Sequence, residues 1–279
     1  MRASVPSHIT GFFSARRLKD PIKSGSIGCG LTLNLMAKTI IEPAQRTEIF
    51  INGDPSEAPV SQFVVDNLSR SSVRVETDLD MPLGSGFGAS GAGALSCAYV
   101  LNAIFELGMT ANRVATIAHI GEITCGTGLG DVIAQNTGGL VMRLKAGAPG
   151  VGQVDRIPVP PLRVCYVVRG PISTKEVLSD PKIMKNINYE GKACLKELLK
   201  RPTLRDFMKL SRRFTTQIGL ASNWISDAIE AVESAGGLAS MIMLGDAVFA
   251  IGCAESPNYL RKFGEIGTAY ISQRGANLD

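Results

Sequence analysis

Pro82-Leu-Gly-Ser-Gly-Phe-Gly-Ala-Ser-Gly-Ala-Gly93 runs directly into an apolar segment, Ala94 to Phe105. Five glycines, Gly84, Gly86, Gly88, Gly91 and Gly93, fall within ten residues. The apolar segment predicts a helix, and the alternation in Val73-Arg-Val-Glu-Thr77 predicts a strand before the glycines. A strand, a glycine-rich loop and a helix start, in that order, suit an anion. The first N–H groups of a helix lack internal partners and carry the positive end of its dipole. Glycines let the backbone curl until those groups converge.

Three phosphate-binding patterns compete for this loop. A Walker A loop needs Lys and then Ser or Thr after its last glycine. Here Ala89 and Ser90 follow Gly88, and the next lysine after the loop is Lys145. A dinucleotide fingerprint fits Gly86-x-Gly88-x-x-Gly91 literally, with Glu106 near the distance of a ribose ligand. That fold also wants a strand after the helix, whereas Asn112 to Ile123 is again helical in pattern. The third pattern is Pro-x-Gly-x-Gly-x-Gly-x-Ser, which Pro82, Gly84, Gly86, Gly88 and Ser90 fill, with Ser85, Phe87 and Ala89 between them.

Composition narrows the function classes. The chain has 279 residues, 45% hydrophobic and 19% charged, with ample material for a core. A net charge of +4 is too mild for a general polyanion binder, and 6% aromatics supply few platforms for stacked bases. The six cysteines form no C-x-x-C pair and there are two histidines, so a structural zinc site is not expected. No apolar run is long enough to span a bilayer, and the N-terminal residues lack the apolar core of a secretory signal. A cytoplasmic protein with free thiols is expected, with no nucleic-acid or membrane partner.

Further elements follow from local pattern. Arg2–Val5 begins a short strand; Pro6 to Phe13 ends in a glycine turn; Arg16 to Lys23 is a basic loop. Ser24-Gly-Ser-Ile-Gly-Cys-Gly30 is a second glycine-rich segment, read either as a ligand-approach loop or as a plain hairpin corner. Asn52-Gly53 marks a hairpin. Thr110 and Thr203 stand as helix caps, Ser179-Asp-Pro starts a helix that runs through about Lys200, and another helix spans Ser222 to Ser234. Ala146 to Gly152 is the best linker candidate, dividing the chain into 1–150 and 151–279. Ala239–Leu244 and Ala247–Ile251 read as strands joined by Gly245-Asp246. Five lysines from Lys182 to Lys200 read as the solvated face of a long helix.

Two acidic residues stand out. Glu122 ends a mainly apolar helical stretch, where a carboxylate wants a partner such as a bound cation; otherwise it is an exposed helix-end residue. Asp131 follows Gly126-Thr-Gly-Leu-Gly130, from which it can reach a substrate hydroxyl and take its proton, or else simply cap the next helix. Ser90, at the helix start, is either a phosphate-side hydroxyl or an N-cap.

The glycine loop, together with Gly121-Glu122, Gly130-Asp131 and Gly138-Gly139 in that order, resembles the GHMP kinase superfamily. Leu129 stands where that family commonly has Ser, and the gap from Glu122 to Asp131 looks short for it. Pro6-Ser-His-Ile-Thr-Gly, the Ser24–Gly30 segment and Ala239 to Ala250 are similar to its archaeal pantoate kinase branch. The resemblance implies an α+β protein with a ribosomal protein S5 domain 2-like N-terminal domain and a ferredoxin-like C-terminal domain. It implies ATP and Mg2+, the cation on Ser90 and Glu122, and Asp131 as catalytic base. The expected reaction is phosphorylation of the primary hydroxyl of pantoate to 4-phosphopantoate, for coenzyme A synthesis, by a homodimer. Mevalonate, homoserine or shikimate are the alternative acceptors. For the pantoate carboxylate, His8, Thr10, Ser26, the N–H groups near Gly28, and Arg143 or Lys23 are the candidates. A silent nucleotide-sensing protein on the same fold is the rival of another class.

Overall fold

β1 (Arg2–Arg16) and β2 (Gly25–Pro43) are the longest strands and pair antiparallel from end to end, with bulges at Pro6/Ser7 and Thr10/Phe12. The structure, a computed structural model, describes residues 1–172, 177, 179–252 and 256–279. A single fifteen-residue strand thus replaces the short strand and glycine turn expected at the N-terminus. The Ser24–Gly30 segment likewise lies in β2 from Gly25 onward and is neither loop nor corner. Glycine composition misleads here because those residues are chosen for close approach. A Cβ on Gly28 would meet the Phe12 carbonyl at 2.2 Å, and one on Gly11 the Ser211 hydroxyl at 2.2 Å.

β2 organises the first sheet. Its later part pairs β5 (Val73–Leu79), and its earlier part pairs β6 (Leu140–Lys145). β3 (Glu48–Ile51) runs parallel to β5 and forms a hairpin with β4 (Asp54–Pro55). Asn52 and Gly53 both have positive φ, 52° and 85°, as the tight hairpin signal requires. Ala146 to Gly152 connects β6 to β7 (Gln153–Ile157), and these two strands pair within this same sheet. β12 (Asn277–Leu278) returns to pair the start of β1.

Three helices pack together beside this sheet: α1 (Pro59–Leu68), α2 (Ala89–Ile104) and α3 (Ala111–Cys125). α2 touches β1, β2, α1 and α3, which explains why it is apolar nearly all round. Thr110 sits at the N-cap of α3 but makes no side-chain cap hydrogen bond, so the cap expected there is absent. α4 (Asp131–Thr137) follows.

The C-terminal half carries β8 (Arg163–Pro171), β9 (Leu238–Met241), β10 (Gly245–Ile251) and β11 (Ile266–Tyr270) in the antiparallel order β11-β8-β10-β9. This is the strand order of a ferredoxin-like sheet. β9 stops at Met241, short of the expected Leu244, because Ile242 to Leu244 turn back; Leu244 has φ 67°. α5 (Pro181–Leu198), α6 (Leu204–Ile218) and α7 (Asn223–Ser234) start where expected, and the side chains of Asp180, Thr203 and Ser222 accept first-turn N–H bonds. α8 (Ser256–Leu260) begins at Ser256-Pro257. Thr203 is the cap whose helix, α6, lies against both β1 and β9.

β1 is shared between the halves. α2 packs on it from the N-terminal half, and α5 and α6 pack on it from the C-terminal half. Phe12 and Phe13 meet Phe214 at ring separations of 6.4 and 6.1 Å, and Phe12 meets Phe207 at 6.2 Å. Each such buried ring contributes roughly 1.5–3 kcal/mol. The next polar residues along β1 are thereby held rigidly at the junction.

Candidate active site

A cavity of about 710 Å³ opens along that junction. Its walls are the 83–90 loop, the turn from α3 to α4, the β3–β4 hairpin, and Met243 and Leu244 after β9. That volume suits a ligand the size of a nucleotide with a small co-substrate.

The glycine loop is shaped by three left-handed residues, Gly84, Gly86 and Gly88, with φ of 68°, 82° and 66°. Gly88 is the N-cap of α2 and offers no capping side chain. The first-turn N–H groups at Ala89, Ser90 and Gly91 therefore have no intrahelical acceptor. The loop is braced from three directions. Phe87 is buried edge-on against Tyr166 at 5.0 Å. The Phe87 carbonyl accepts from the His8 N–H at 3.0 Å. The Gly88 carbonyl accepts from Gln135 Nε2 at 2.8 Å. From the second sheet, the Met243 carbonyl lies 2.7 Å from where a Gly86 Cβ would be.

Glu122 is buried inside the cavity wall, not exposed at a helix end. Thr127 donates to its Oε1 at 2.7 Å. Burial first, and then the neighbouring Asp131 carboxylate, pushes its pKa up to about 7, against hydrogen bonds from Thr127 and Ser90 that pull it down. Gly128 makes the room: a Cβ there would stand 1.8 Å from Glu122 Oε2 and 3.3 Å from Asp131 Oδ2. Among the described residues Glu122 thus has hydroxyl partners and no ion-pair partner. With Ser90 it forms a small all-oxygen donor set of the kind a hard divalent ion accepts. Among the described residues no group of three or more His, Cys, Asp or Glu could hold a metal, so such an ion would need further oxygens from a phosphate ligand and water.

Asp131 begins α4 and lines the cavity, its side chain partly exposed to it. Its Oδ1 lies 2.7 Å from Nδ1 of His8, which is wholly buried. Burial lowers the His8 pKa despite the Asp131 carboxylate, so the ring is neutral near pH 7. Arg143, from β6, is also buried; its guanidinium reaches His8 Nε2 at 3.3 Å and the Thr10 hydroxyl at 3.4 Å. Among the described residues Arg143 Nε has no hydrogen-bond partner. Burial pulls the Arg143 pKa down from its usual value, while the Asp131 carboxylate nearby pushes it back up.

Most of the sequence-predicted residues meet at this cavity. Thr10, Ser26, Gly84, Gly86, Phe87, Gly88, Ala89, Ser90, Glu122, Asp131 and Arg143 line it. Four do not. Pro82 precedes the curl, Ser85 turns inward with its hydroxyl on the Leu83 carbonyl at 3.1 Å, and Gly28 is buried opposite Phe13 in the β1–β2 ladder. His8 lies behind Asp131 and Arg143. Lys23 is exposed and pairs with Asp20 at 3.3 Å. Two residues escaped the sequence reading. Thr127 lies inside the quoted glycine turn, where an oxygen five residues after a buried Glu was the available signal. Gln135 is one helical turn after Asp131, so both face the loop.

A strand, a glycine-rich loop and a helix start facing two carboxylates, on a two-sheet α+β frame, define a class. The family model "GHMP kinases N terminal domain" matches residues 59–139. The fold alone is shared with a homoserine kinase structure from Listeria monocytogenes at 17% identity, covering 99% of this chain and 98% of that one with a TM-score of 0.68. Two curated relatives are both named pantoate kinase. The one from Thermococcus kodakarensis is 36% identical over 90% of this chain and 87% of its own length. The one from Methanocaldococcus jannaschii is 36% identical over 90% and 93%. A solved structure described as a phosphotransferase related to the CoA biosynthesis pathway is 32% identical, covers 99% of this chain and 98% of that one, and has a TM-score of 0.88. The chain is a GHMP kinase. Within that superfamily it belongs to the pantoate kinase family.

Proposed function

We propose that this enzyme transfers the γ-phosphoryl group of ATP to the primary hydroxyl of pantoate, giving 4-phosphopantoate and ADP. The observation that carries this reading is the buried Arg143, held at the end of the cavity where Asp131 stands, beside Thr10 and Ser26. A fixed cation beside a carboxylate base suits an acceptor that bears both a carboxylate and a hydroxyl. An acceptor without the carboxylate would leave Arg143 with Asp131 as its nearby carboxylate.

The triphosphate is placed on the curl from Gly84 to Ser90, with free N–H groups at the start of α2. Adenine is placed at the other end of the cavity, against Ile51, Pro55, Ala58 and Leu83, which are apolar. Asp131 accepts the proton of the acceptor hydroxyl as that oxygen bonds to the γ-phosphorus and the bond to the bridging β,γ-oxygen breaks. Mg2+ would be held by Ser90, Glu122 and the phosphates, and when bound it neutralises phosphate charge.

The chain is read as two domains, 1–150 and 151–279, with β7 and β12 of the second lending strands to the sheet of the first. A homodimer is expected by family resemblance, and sedimentation of the purified chain would test it. No described helix is long and apolar enough to cross a membrane; a cytoplasmic location is the matching proposal.

A coupled ADP-release assay with ATP, Mg2+ and a panel of hydroxy acids tests the reading. Pantoate should be preferred, and a clear preference for mevalonate, homoserine or shikimate would replace it. Asp131→Asn should lose about 10²-fold or more in kcat while still binding ATP.

A further inference from the structure

Among the described residues His8 is the one side chain hydrogen-bonded to both Asp131 and Arg143, and its main chain braces the glycine loop. Its N–H donates to the Phe87 carbonyl at 3.0 Å, its Nδ1 faces Asp131 Oδ1 at 2.7 Å, and its Nε2 faces Arg143 at 3.3 Å. The partners fix the ring's protonation. A carboxylate can only accept, so Nδ1 carries the hydrogen. A guanidinium can only donate, so Nε2 must be bare. This is the neutral Nδ1–H tautomer, bridging a carboxylate and a guanidinium. The pocket is cut to fit it: a Cβ on Gly30 would come within 2.4 Å of Nε2.

We propose that His8 is a positioning residue which never touches substrate, and which holds the Asp131 carboxylate and the Arg143 guanidinium at a fixed separation. The proposal rests on Asp131 being the base and Arg143 the carboxylate anchor. Among the described residues Asp131 makes no other side-chain hydrogen bond or ion pair. One hydrogen bond from a buried ring fixes its orientation. It leaves Oδ2 as the oxygen for the acceptor hydroxyl. The same ring gives the Arg143 NH1 group its acceptor, so the span between anchor and base matches one length of acceptor.

The two histidines, His8 and His119, make the ring state directly measurable. His119 Nε2 lies 3.0 Å from the Ser24 carbonyl and donates to it. Two-bond 15N–1H correlation on the full chain should show one imidazole of each neutral tautomer, with the Nδ1–H form assigned to His8. Finding both as Nε2–H would overturn the proposal.

Kinetics supply the second arm. His8→Leu keeps the volume and loses both hydrogen bonds, and should lower kcat at least about tenfold with the ATP KM unchanged. His8→Asn sets an amide N–H near the place of Nδ1, and should recover most of kcat while the pantoate KM stays raised, because Arg143 lacks its acceptor. A Leu variant as active as wild type, or an Asn variant no better than Leu, sinks the proposal. Should the Leu variant not fold, the Asn kinetics and the tautomer still decide. Asp131→Asn separates the two readings: if it is inactive while His8→Leu is normal, only the role of His8 falls; if it is fully active, the base assignment falls first.

Discussion

A carboxylate with no formal positive charge against it is an unstable thing to bury, and Glu122 shows what the fold does about it. Below pH 4.5 its carboxyl is protonated in both folded and unfolded chains. As pH rises from about 4.5 to about 7, the unfolded chain releases the proton and the folded one keeps it, so stability falls across that window and levels off above it. The whole fall is on the order of 3 kcal/mol. Urea titration of nucleotide-free, metal-free protein at pH 5 and pH 8 should show it, and Glu122→Gln should abolish that slope. A slope unchanged in the variant would mean that other groups cause it. Gly128→Ala is a sharper probe: its Cβ would displace Glu122 Oε2, so kcat should fall at least about tenfold with little change in fold, as read by steady-state kinetics and circular dichroism. The loop glycines, Glu122 and Asp131 were legible in sequence because each interrupts a pattern. Thr127 and Gln135 were not, because a single polar residue in a helix or turn has no periodicity to break.

At the scale of elements, capping signals read unevenly and glycines read poorly. Thr203 caps its helix as expected, Thr110 makes no side-chain cap bond, and Asp180 and Ser222 cap helices whose starts alone were expected. Thr203→Ala should cost about 1 kcal/mol of unfolding free energy, measured by denaturant titration, with pantoate and ATP KM values unaltered. Gly11, Gly28 and Gly30 suggested turns but sit inside β1 and β2, where a neighbouring backbone or side chain occupies the place of Cβ. Such crowding comes from residues distant in sequence, Phe207 and Ser211 for Gly11, and no local window contains it.

The whole molecule joins its two sheets through β1 and through the turn after β9. Met243 donates its N–H to the Thr10 carbonyl at 3.2 Å, and Leu244 lines the cavity. A ligand filling that cavity touches both halves and should stabilise them together. A nonhydrolysable ATP analogue with Mg2+ at a hundred times its Kd adds about 2.7 kcal/mol. Scanning calorimetry should then record a single transition raised by roughly 5 °C or more; two separately moving transitions would show that the halves melt independently. The ferredoxin-like order of the second sheet was legible only through family resemblance, because strand order is a property of pairing between distant segments.

The nearness of the second sheet to the glycine curl has a practical corollary. Gly245 abuts the Ser85 carbonyl so closely that a methyl group there would lie 2.0 Å away, and Gly86 presses on Met243 in return. Half the mould of the glycine curl, where the proposed triphosphate would sit, is therefore cast by residues about 160 positions downstream. An excised 1–150 fragment, though it would own every glycine of the motif, should be a poor nucleotide trap, and adding back the 151–279 piece in trans should restore grip before it restores turnover.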